Sequence, residues 1–310
     1  MKAIVIEQYG GAEELIEKEL PKPEIQHNQV LIEMHATSVN PIDWKVREGY
    51  MKENIPFEFP LILGWDAAGV IAEVGKDVKS FKVGDEVFAR PAMENGTYAE
   101  YVAVNEDLVA LKPSDVSFEE AASVPLAGLT AWQCLIDFGQ IKPGDKVLIH
   151  AGSGGVGSLG IQIAKSFGAY VLSTASAKNE AFLKELGVDE FINYETTDFT
   201  DVVKDVDLVV DTMGGEILEK SLSVVKKGGR LVSIAGQPNI EKAEANHITA
   251  ESLWLNPNGK QLAELGELMQ RGEVKTHIGH TFPLSAKGLR EAHELSETHH
   301  AKGKIVIEVK

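Results

Sequence analysis

The segment Leu148–Gly160 reads LIHAGSGGVGSLG, and within it Gly152-Ser153-Gly154-Gly155-Val156-Gly157 has the spacing G-x-G-x-x-G. An apolar run enters this loop and an amphipathic helical pattern leaves it. In that setting Gly152 permits a tight turn and Gly154 lets backbone approach a pyrophosphate. Gly157 lets helix and strand pack closely, and the helix N-terminus offers free N–H groups to the phosphates. The pattern predicts a bound dinucleotide.

The next strand selects among dinucleotides. A site for the 2′-hydroxyl of NAD places Asp or Glu at the end of that strand, about 20 residues on. Here the strand is AYVLST, followed by ASAKNE, and from Tyr170 through Asn179 there is no acid. Ala175 stands where the carboxylate belongs, and Ser176 and Lys178 follow it. A small residue, a hydroxyl and a cation suit a 2′-phosphate, which an acid would repel. Tyr194, at the end of the following strand, adds a hydroxyl to the same pocket, so NADPH is expected. The alternative for Lys178 is a solvated side chain in the first turn of a helix, a poor position for a cation.

Two rhythms must position these groups. Up to about Val109, short strands rich in β-branched residues (KAIVIE, VLIEMHAT, AAGVIAEVG, DEVFAR, TYAEYVAV) are cut by Gly, Pro, Asn or Asp, as in an irregular β-barrel or sandwich. From about Ser117 the pattern changes. FEEAASVPLAGLTAWQCLIDFG is a helix that Pro125 should break or kink. Strands (KVLIHA, AYVLST, EFINY, VDLVVDT, RLVSIA) then alternate with helices (GSLGIQIAKSFG, AKNEAFLKELG, GEILEKSLSVVKKGG), which predicts a parallel, doubly wound sheet. Gly187 is a natural C-cap. The last residues give two helices and a strand, GKIVIEV, able to close the first sheet or extend the second.

With 310 residues and a formal charge of −17, the chain is long enough for two domains and electrostatically unsuited to nucleic acid or anionic lipid. No segment reads as a membrane span or a signal peptide. The single cysteine, Cys134, excludes an internal disulfide and a multi-thiolate metal site. A cytoplasmic protein is expected. His293, His299 and His300 cluster without metal-ligand spacing and read as a solvated helix end.

The order of elements, with FKVGDEV (81–87), GTYAEYVAV (96–104), PLAGLTAW (125–132), IKPGDKVLIHA (141–151) and GKIVIEV (303–309), resembles the medium-chain dehydrogenase/reductase superfamily over essentially the whole chain. Within it, the sequence is similar to the zinc-independent, zeta-crystallin-like quinone oxidoreductases. The resemblance implies an α/β fold: a GroES-like irregular β-barrel catalytic domain over residues 1–122, a Rossmann doubly wound parallel-sheet domain for NADP over 123–266, and a return to the catalytic domain over 267–310. It also suggests a homodimer through an edge strand of the Rossmann domain.

The zinc alcohol dehydrogenases of that superfamily have Cys, His and a further Cys or Asp as catalytic ligands. The matching positions here are Asn40, Trp65 and Leu126, so no metal is expected. Without a Lewis acid a simple alkoxide is hard to stabilise. Hydride addition to a quinone or enone gives a delocalised anion that a few hydrogen bonds can hold. The resemblance therefore implies an NADPH-dependent quinone or α,β-unsaturated carbonyl reductase. An enoyl thioester reductase, and an NADPH-binding redox sensor or structural protein with little turnover, are the alternatives.

By the same resemblance the Asn40 amide donates to a substrate carbonyl, Asp43 and Lys45 are polar wall residues, and Tyr50 is either a hydrogen-bond donor or an apolar wall. Asp43 and Lys45 alternatively form an internal salt bridge. Thr130 sits near the nicotinamide. Ala235 and Gly236, in the segment SIAGQ (233–237), leave the carboxyl edge of the sheet, where such sheets bind ligands. Trp65 is expected in the core, and Lys304 either reaches the cleft or lies on the surface.

Overall fold

A computed structural model describes residues 1–53 and 55–310. It divides into two compact units. One contains Met1–Leu129, Pro257–Gly272 and Thr276–Lys310, and the other Thr130–Asn256 with Glu273–Lys275.

The first unit is built on the strand Gln29–Val39, which is long and almost wholly buried. It pairs antiparallel with Ala67–Val74, Tyr101–Asn105 and Lys304–Glu308. The register of its pairing with Ala67–Val74 slips between Leu31 and Ile32 and again between Met34 and Ala36. Such bulges bend a strand and raise its twist, which curves this sheet toward a barrel. The sheet continues through Glu86–Ala89 to Val109–Leu111 on one side, and from Lys304–Glu308 to Ile278–Pro283 on the other. The late GKIVIEV strand thus closes the first sheet. A second, three-stranded sheet joins Ile16–Glu19, Lys2–Ile6 and Leu61–Ile62.

The second unit is a six-stranded parallel sheet. Its order is Glu190–Asn193, Tyr170–Ala175, Lys146–Ile149, Val206–Asp211, Val225–Ser233, Thr249–Ser252. Sequential strands run outward from Lys146–Ile149 in one direction, then restart beside it in the other. This is the doubly wound Rossmann order, with its ligand crevice at the carboxyl ends of the strands where the order reverses.

Local chemistry explains the boundaries. The helix expected around Pro125 is divided into Phe118–Ala122 and Pro125–Trp132, with proline at the start of the second piece where its missing N–H costs nothing. Gly187, at φ 95°, follows the Glu180–Glu185 helix in the left-handed conformation that ends helices. The helix expected through GEILEKSLSVVKKGG is shorter, Gly215–Ser221. Val225, within that run, already belongs to the next strand, because the buried β-branched pair Val224 and Val225 packs in the sheet core. Cys134 is buried and unpaired. Among the described residues no helix is long and apolar enough to cross a membrane.

Candidate active site

In the second unit, the glycine loop joins the strand Lys146–Ile149 to the helix Gly155–Ser166. The left-handed turn falls on Ala151, at φ 52°. Gly152 serves contact rather than the turn: a Cβ there would overlap Ser173 Oγ and come within 2.9 Å of Ile161. A Cβ on Gly157 would overlap the Ala151 carbonyl and lie 2.7 Å from Gly152 Cα. Gly154 is different. It is extended, at φ −81° and ψ 177°, and a Cβ on it would meet only the Ala151 carbonyl, at 3.4 Å. Two glycines therefore close the loop against its own strand, and the third leaves its outer side open. The first-turn N–H groups of Gly155, Val156 and Gly157 have no intrahelical acceptor, as at every helix start. This cradle fits a dinucleotide pyrophosphate.

Adjacent strand ends bring the next groups together. Ala175 pairs with Asn193, so Ser176 and Tyr194 leave neighbouring strands side by side. Lys178 and Tyr194 are exposed, whereas Ser176 is buried. Asn179 Nδ2 donates to Ser176 Oγ at 3.2 Å and to Ser153 Oγ at 3.1 Å, tying this loop to the glycine loop. Glu195 reaches back to accept the Ala177 N–H at 3.1 Å. The sequence shows no acid within this loop, yet the neighbouring strand delivers one to its edge. Only the pairing register could reveal that.

Beyond the next two strands, buried Asp211 accepts from the N–H groups of Met213 and Gly214 and from Ser233 Oγ at 2.6 Å. Ser233 Oγ in turn accepts from the N–H groups of Ala235 and Gly236, both at 3.1 Å. One carboxylate thus organises both loops at the carboxyl edge. Thr130 lies buried in the Pro125–Trp132 helix.

In the first unit, the ladders converge on Asn40. Val39 pairs with Ile305, and one step further Lys304 meets Asn40. Ala36 pairs with Ala68, and two steps further Ser38 meets Asp66. The four side chains form one buried cluster. Asn40 Nδ2 donates to Asp66 Oδ2 at 2.7 Å, and Lys304 Nζ donates to Asn40 Oδ1 at 2.5 Å. Lys304 Nζ also lies 3.4 Å from Asp66 Oδ2, which accepts from Ser38 Oγ as well. Asp66 Oδ1 takes the Leu126 N–H at 2.6 Å. Lys304 is thus buried, at 4% exposure.

Asn40 precedes the helix Pro41–Arg47, whose fully buried Asp43 accepts the Asn40 backbone N–H at 2.8 Å. The same Oδ2 of Asp43 accepts from Tyr98 Oη at 2.7 Å, while Oδ1 is buried without a partner. Burial pushes the Asp43 carboxyl up to about 7 against the lowering pull of these hydrogen bonds. Tyr98 Oη is 3.0 Å from His293 Nε2, and Arg47 Nη1 is 3.1 Å from His293 Nδ1. A guanidinium only donates, so Nδ1 accepts and Nε2 carries the hydrogen. Burial, helped by Arg47, pushes the imidazole down to about 3. His293 is therefore no part of a solvated helix end. It sits on the inward face of the Ala286–Glu297 helix with Leu289 and Ala292, a face whose period the sequence shows but whose partner it does not.

Lys45 Nζ lies 5.7 Å over the Trp44 ring rather than on Asp43. Tyr50 is exposed, packs edge-on to Trp44, and is pushed up by its hydrogen bond to Glu48. Trp65 is fully buried, and its Nε1 donates to Met93 O at 3.0 Å.

A zinc ion does not fit this donor set. At the three ligand positions stand an amide committed to a lysine and an aspartate, an indole that can only donate, and a leucine side chain. An ammonium occupies the heart of the cluster.

Residues 26–114 match the alcohol dehydrogenase GroES-like domain, and residues 186–307 match the zinc-binding dehydrogenase family. The chain is 37% identical to an NADPH-dependent alkenal/one oxidoreductase, chloroplastic, of Arabidopsis thaliana, covering 99% of this chain and 79% of that protein. The quinone oxidoreductase of Coxiella burnetii superposes with a TM-score of 0.90 at 40% identity, covering 100% of this chain and 99% of the other. The Escherichia coli quinone oxidoreductase complexed with NADPH gives 0.89 at 28%, with full coverage of both.

Proposed function

The chain belongs to the medium-chain dehydrogenase/reductase superfamily, in its zinc-independent quinone oxidoreductase branch, and from this we propose that it is an NADPH-dependent reductase of quinones or α,β-unsaturated carbonyls. The observation that carries this reading is the donor chemistry around Asn40. It offers hydrogen bonds and positive charge, but no ligand set for a Lewis acid. The names of the relatives, an alkenal/one oxidoreductase and quinone oxidoreductases, support it.

When bound, NADPH would supply a hydride to the conjugated carbon; water would then supply the proton that completes a saturated carbonyl, while for a quinone the protonated adduct would tautomerise, moving a proton from that carbon to the second oxygen, to give the hydroquinone. The N–H groups of Gly155 and Val156 bind the pyrophosphate and Gly154, without a side chain, leaves room for it, with Gly152 and Gly157 holding the loop closed and Ser153 fixed by Asn179. Ser176, Lys178 and Tyr194 hold the 2′-phosphate. Ala235, Gly236 and Thr130 line the rest of the cofactor site. Asn40 donates to the carbonyl oxygen as charge develops there. Asp43 holds the Asn40 backbone. Lys45 and Tyr50 form the polar wall.

With purified protein and NADPH, oxidation that depends on 1,4-benzoquinone or an alkenal is the expected result. Tight NADPH binding without turnover on either acceptor overturns the reading. In the same assay, Lys178→Ala should raise the KM for NADPH by about tenfold and that for NADH by less than about twofold. Equal effects remove Lys178 from the 2′-phosphate.

We also infer a homodimer. Thr249–Ser252 is an outer strand of the parallel sheet, open to pairing with a second copy, and Trp254 beside it is 57% exposed. Sedimentation at twice 33.7 kDa is expected, and sedimentation as a monomer counts against it. The lone buried thiol suits a reducing compartment, and the cytoplasm is the proposed location.

A further inference from the structure

A side-chain amide can turn over and exchange its oxygen and nitrogen while keeping its shape. The neighbours of Asn40 forbid that exchange. The Lys304 ammonium has hydrogens and no lone pair, so the atom it meets at 2.5 Å must be oxygen. Asp66 receives hydrogen bonds from Leu126 N, Ser38 Oγ and Asn40, with Lys304 beside it. Surrounded by donors, it is a carboxylate that accepts throughout, so the amide atom 2.7 Å away must be nitrogen. Turning the amide over would set N–H against ammonium and oxygen against carboxylate. One hydrogen of Nδ2 is spent on Asp66. The other has no acceptor among the described residues.

We propose that Lys304 and Asp66 are positioning residues that lock the Asn40 amide in one orientation, so that its second Nδ2–H is a fixed donor for the oxygen of the substrate. This rests on the reading of Asn40 as the group that meets the carbonyl. It extends that reading to a selection rule: the substrate must present an acceptor oxygen at this point, because the amide cannot turn to offer one itself. A donor aligned before the reaction need not reorganise as negative charge grows on the oxygen. The two charges that hold it are buried, 4% and 0% exposed, where solvent screens them little.

The test is a double-mutant cycle on the single-turnover rate of NADPH oxidation by 1,4-benzoquinone. Lys304→Met alone would leave Asp66 buried and uncompensated, so the variant to use is K304M/D66N, which removes both charges together. Its new amide can donate as well as accept, so either orientation of Asn40 is then allowed. Asn40→Ala should lower the rate by ~100-fold and K304M/D66N by ~10-fold. In the Asn40→Ala background, K304M/D66N should change the rate by less than ~2-fold, because its effect runs through the amide. The NADPH dissociation constant should stay within ~2-fold throughout, as expected for a loss confined to the transition state. Losses that multiply, or a wild-type rate in K304M/D66N, overturn the inference. A wild-type rate in Asn40→Ala instead overturns the assignment of Asn40 itself, and this inference falls with it.

A second readout needs only the wild-type fold. In protein labelled with 15N at asparagine, the two Asn40 amide hydrogens should exchange unequally, the one bonded to Asp66 slowly and its partner fast. Equal exchange overturns the lock.

Discussion

Gly157→Ala should abolish NADPH-dependent turnover and destabilise the second unit by ~3 kcal/mol, the upper end of what an overpacked site costs. The added methyl would overlap the Ala151 carbonyl and stand 2.7 Å from Gly152 Cα. Both obstacles are backbone, so no side chain can swing aside. Helix and strand would have to separate, carrying the first-turn N–H groups away from the phosphates they are set to hold. Two neighbouring substitutions separate this effect from a general dislike of alanine. Gly160 lies in the same helix, but a Cβ there would make only ordinary contacts, 3.6 Å from Ala131 and Ile149. Gly160→Ala should therefore be neutral or stabilising by ~0.5–1 kcal/mol, since alanine loses less conformational freedom in a helix. Gly154→Ala should fold normally, because its backbone is extended and its surroundings are open. Its methyl points to where a pyrophosphate would approach, so NADPH affinity should fall while the melting temperature holds. Calorimetry with cofactor titration reads all three. Equal melting temperatures for Gly157→Ala and Gly160→Ala would remove the steric argument.

These contrasts mark what the sequence carries and what it lacks. The G-x-G-x-x-G spacing, the broken helix at Pro125 and the end of a helix at Gly187 are local, and each follows from what one residue can do with its own φ, its N–H or its missing Cβ. The division of labour among the glycines is less local. Gly152 is required by Ser173, on the neighbouring strand, while the turn itself is taken by Ala151. The Asn40 cluster is less legible still. Lys304 is 264 residues from Asn40, and their meeting depends on the antiparallel register of Lys304–Glu308 against Gln29–Val39. A one-residue slip would turn the lysine outward. Composition and periodicity identify both strands without fixing that register. His293 shows the same limit from another side: its helical face is apolar by period, but Tyr98 and Arg47, which make a buried imidazole tolerable, come from distant segments.

Asp43 gives the second large effect, in the dependence of stability on pH. Its carboxyl titrates at about 7 in the folded chain, against an ordinary 3.8. The folded state therefore keeps a proton that the unfolded chain gives up. The stability this contributes is complete below about pH 4 and is lost as pH rises through 7, at ~1.4 kcal/mol per pH unit and at most ~4 kcal/mol in all. His293 acts with the opposite sign. Held down at about 3 from an ordinary 6.5, it contributes stability that is present above 6.5 and lost as pH falls toward 3. His150, buried between Thr174 and Ser221 and held near 4, acts as His293 does. Between pH 4 and 6.5 the slope of Asp43 thus offsets that of one buried histidine. Asp43→Asn removes this offset. Its side-chain oxygen still accepts from Asn40 N and Tyr98 Oη, and its NH2 replaces the oxygen that has no partner. The stability of the variant minus that of the wild type should rise steadily from pH 4 to 7 and stay level above it, because the histidines cancel in the difference. Chemical denaturation across pH 4–8 measures this. A difference that stays flat would mean that Asp43 ionises in the folded protein as readily as in the unfolded chain, and that its unpartnered oxygen carries no cost.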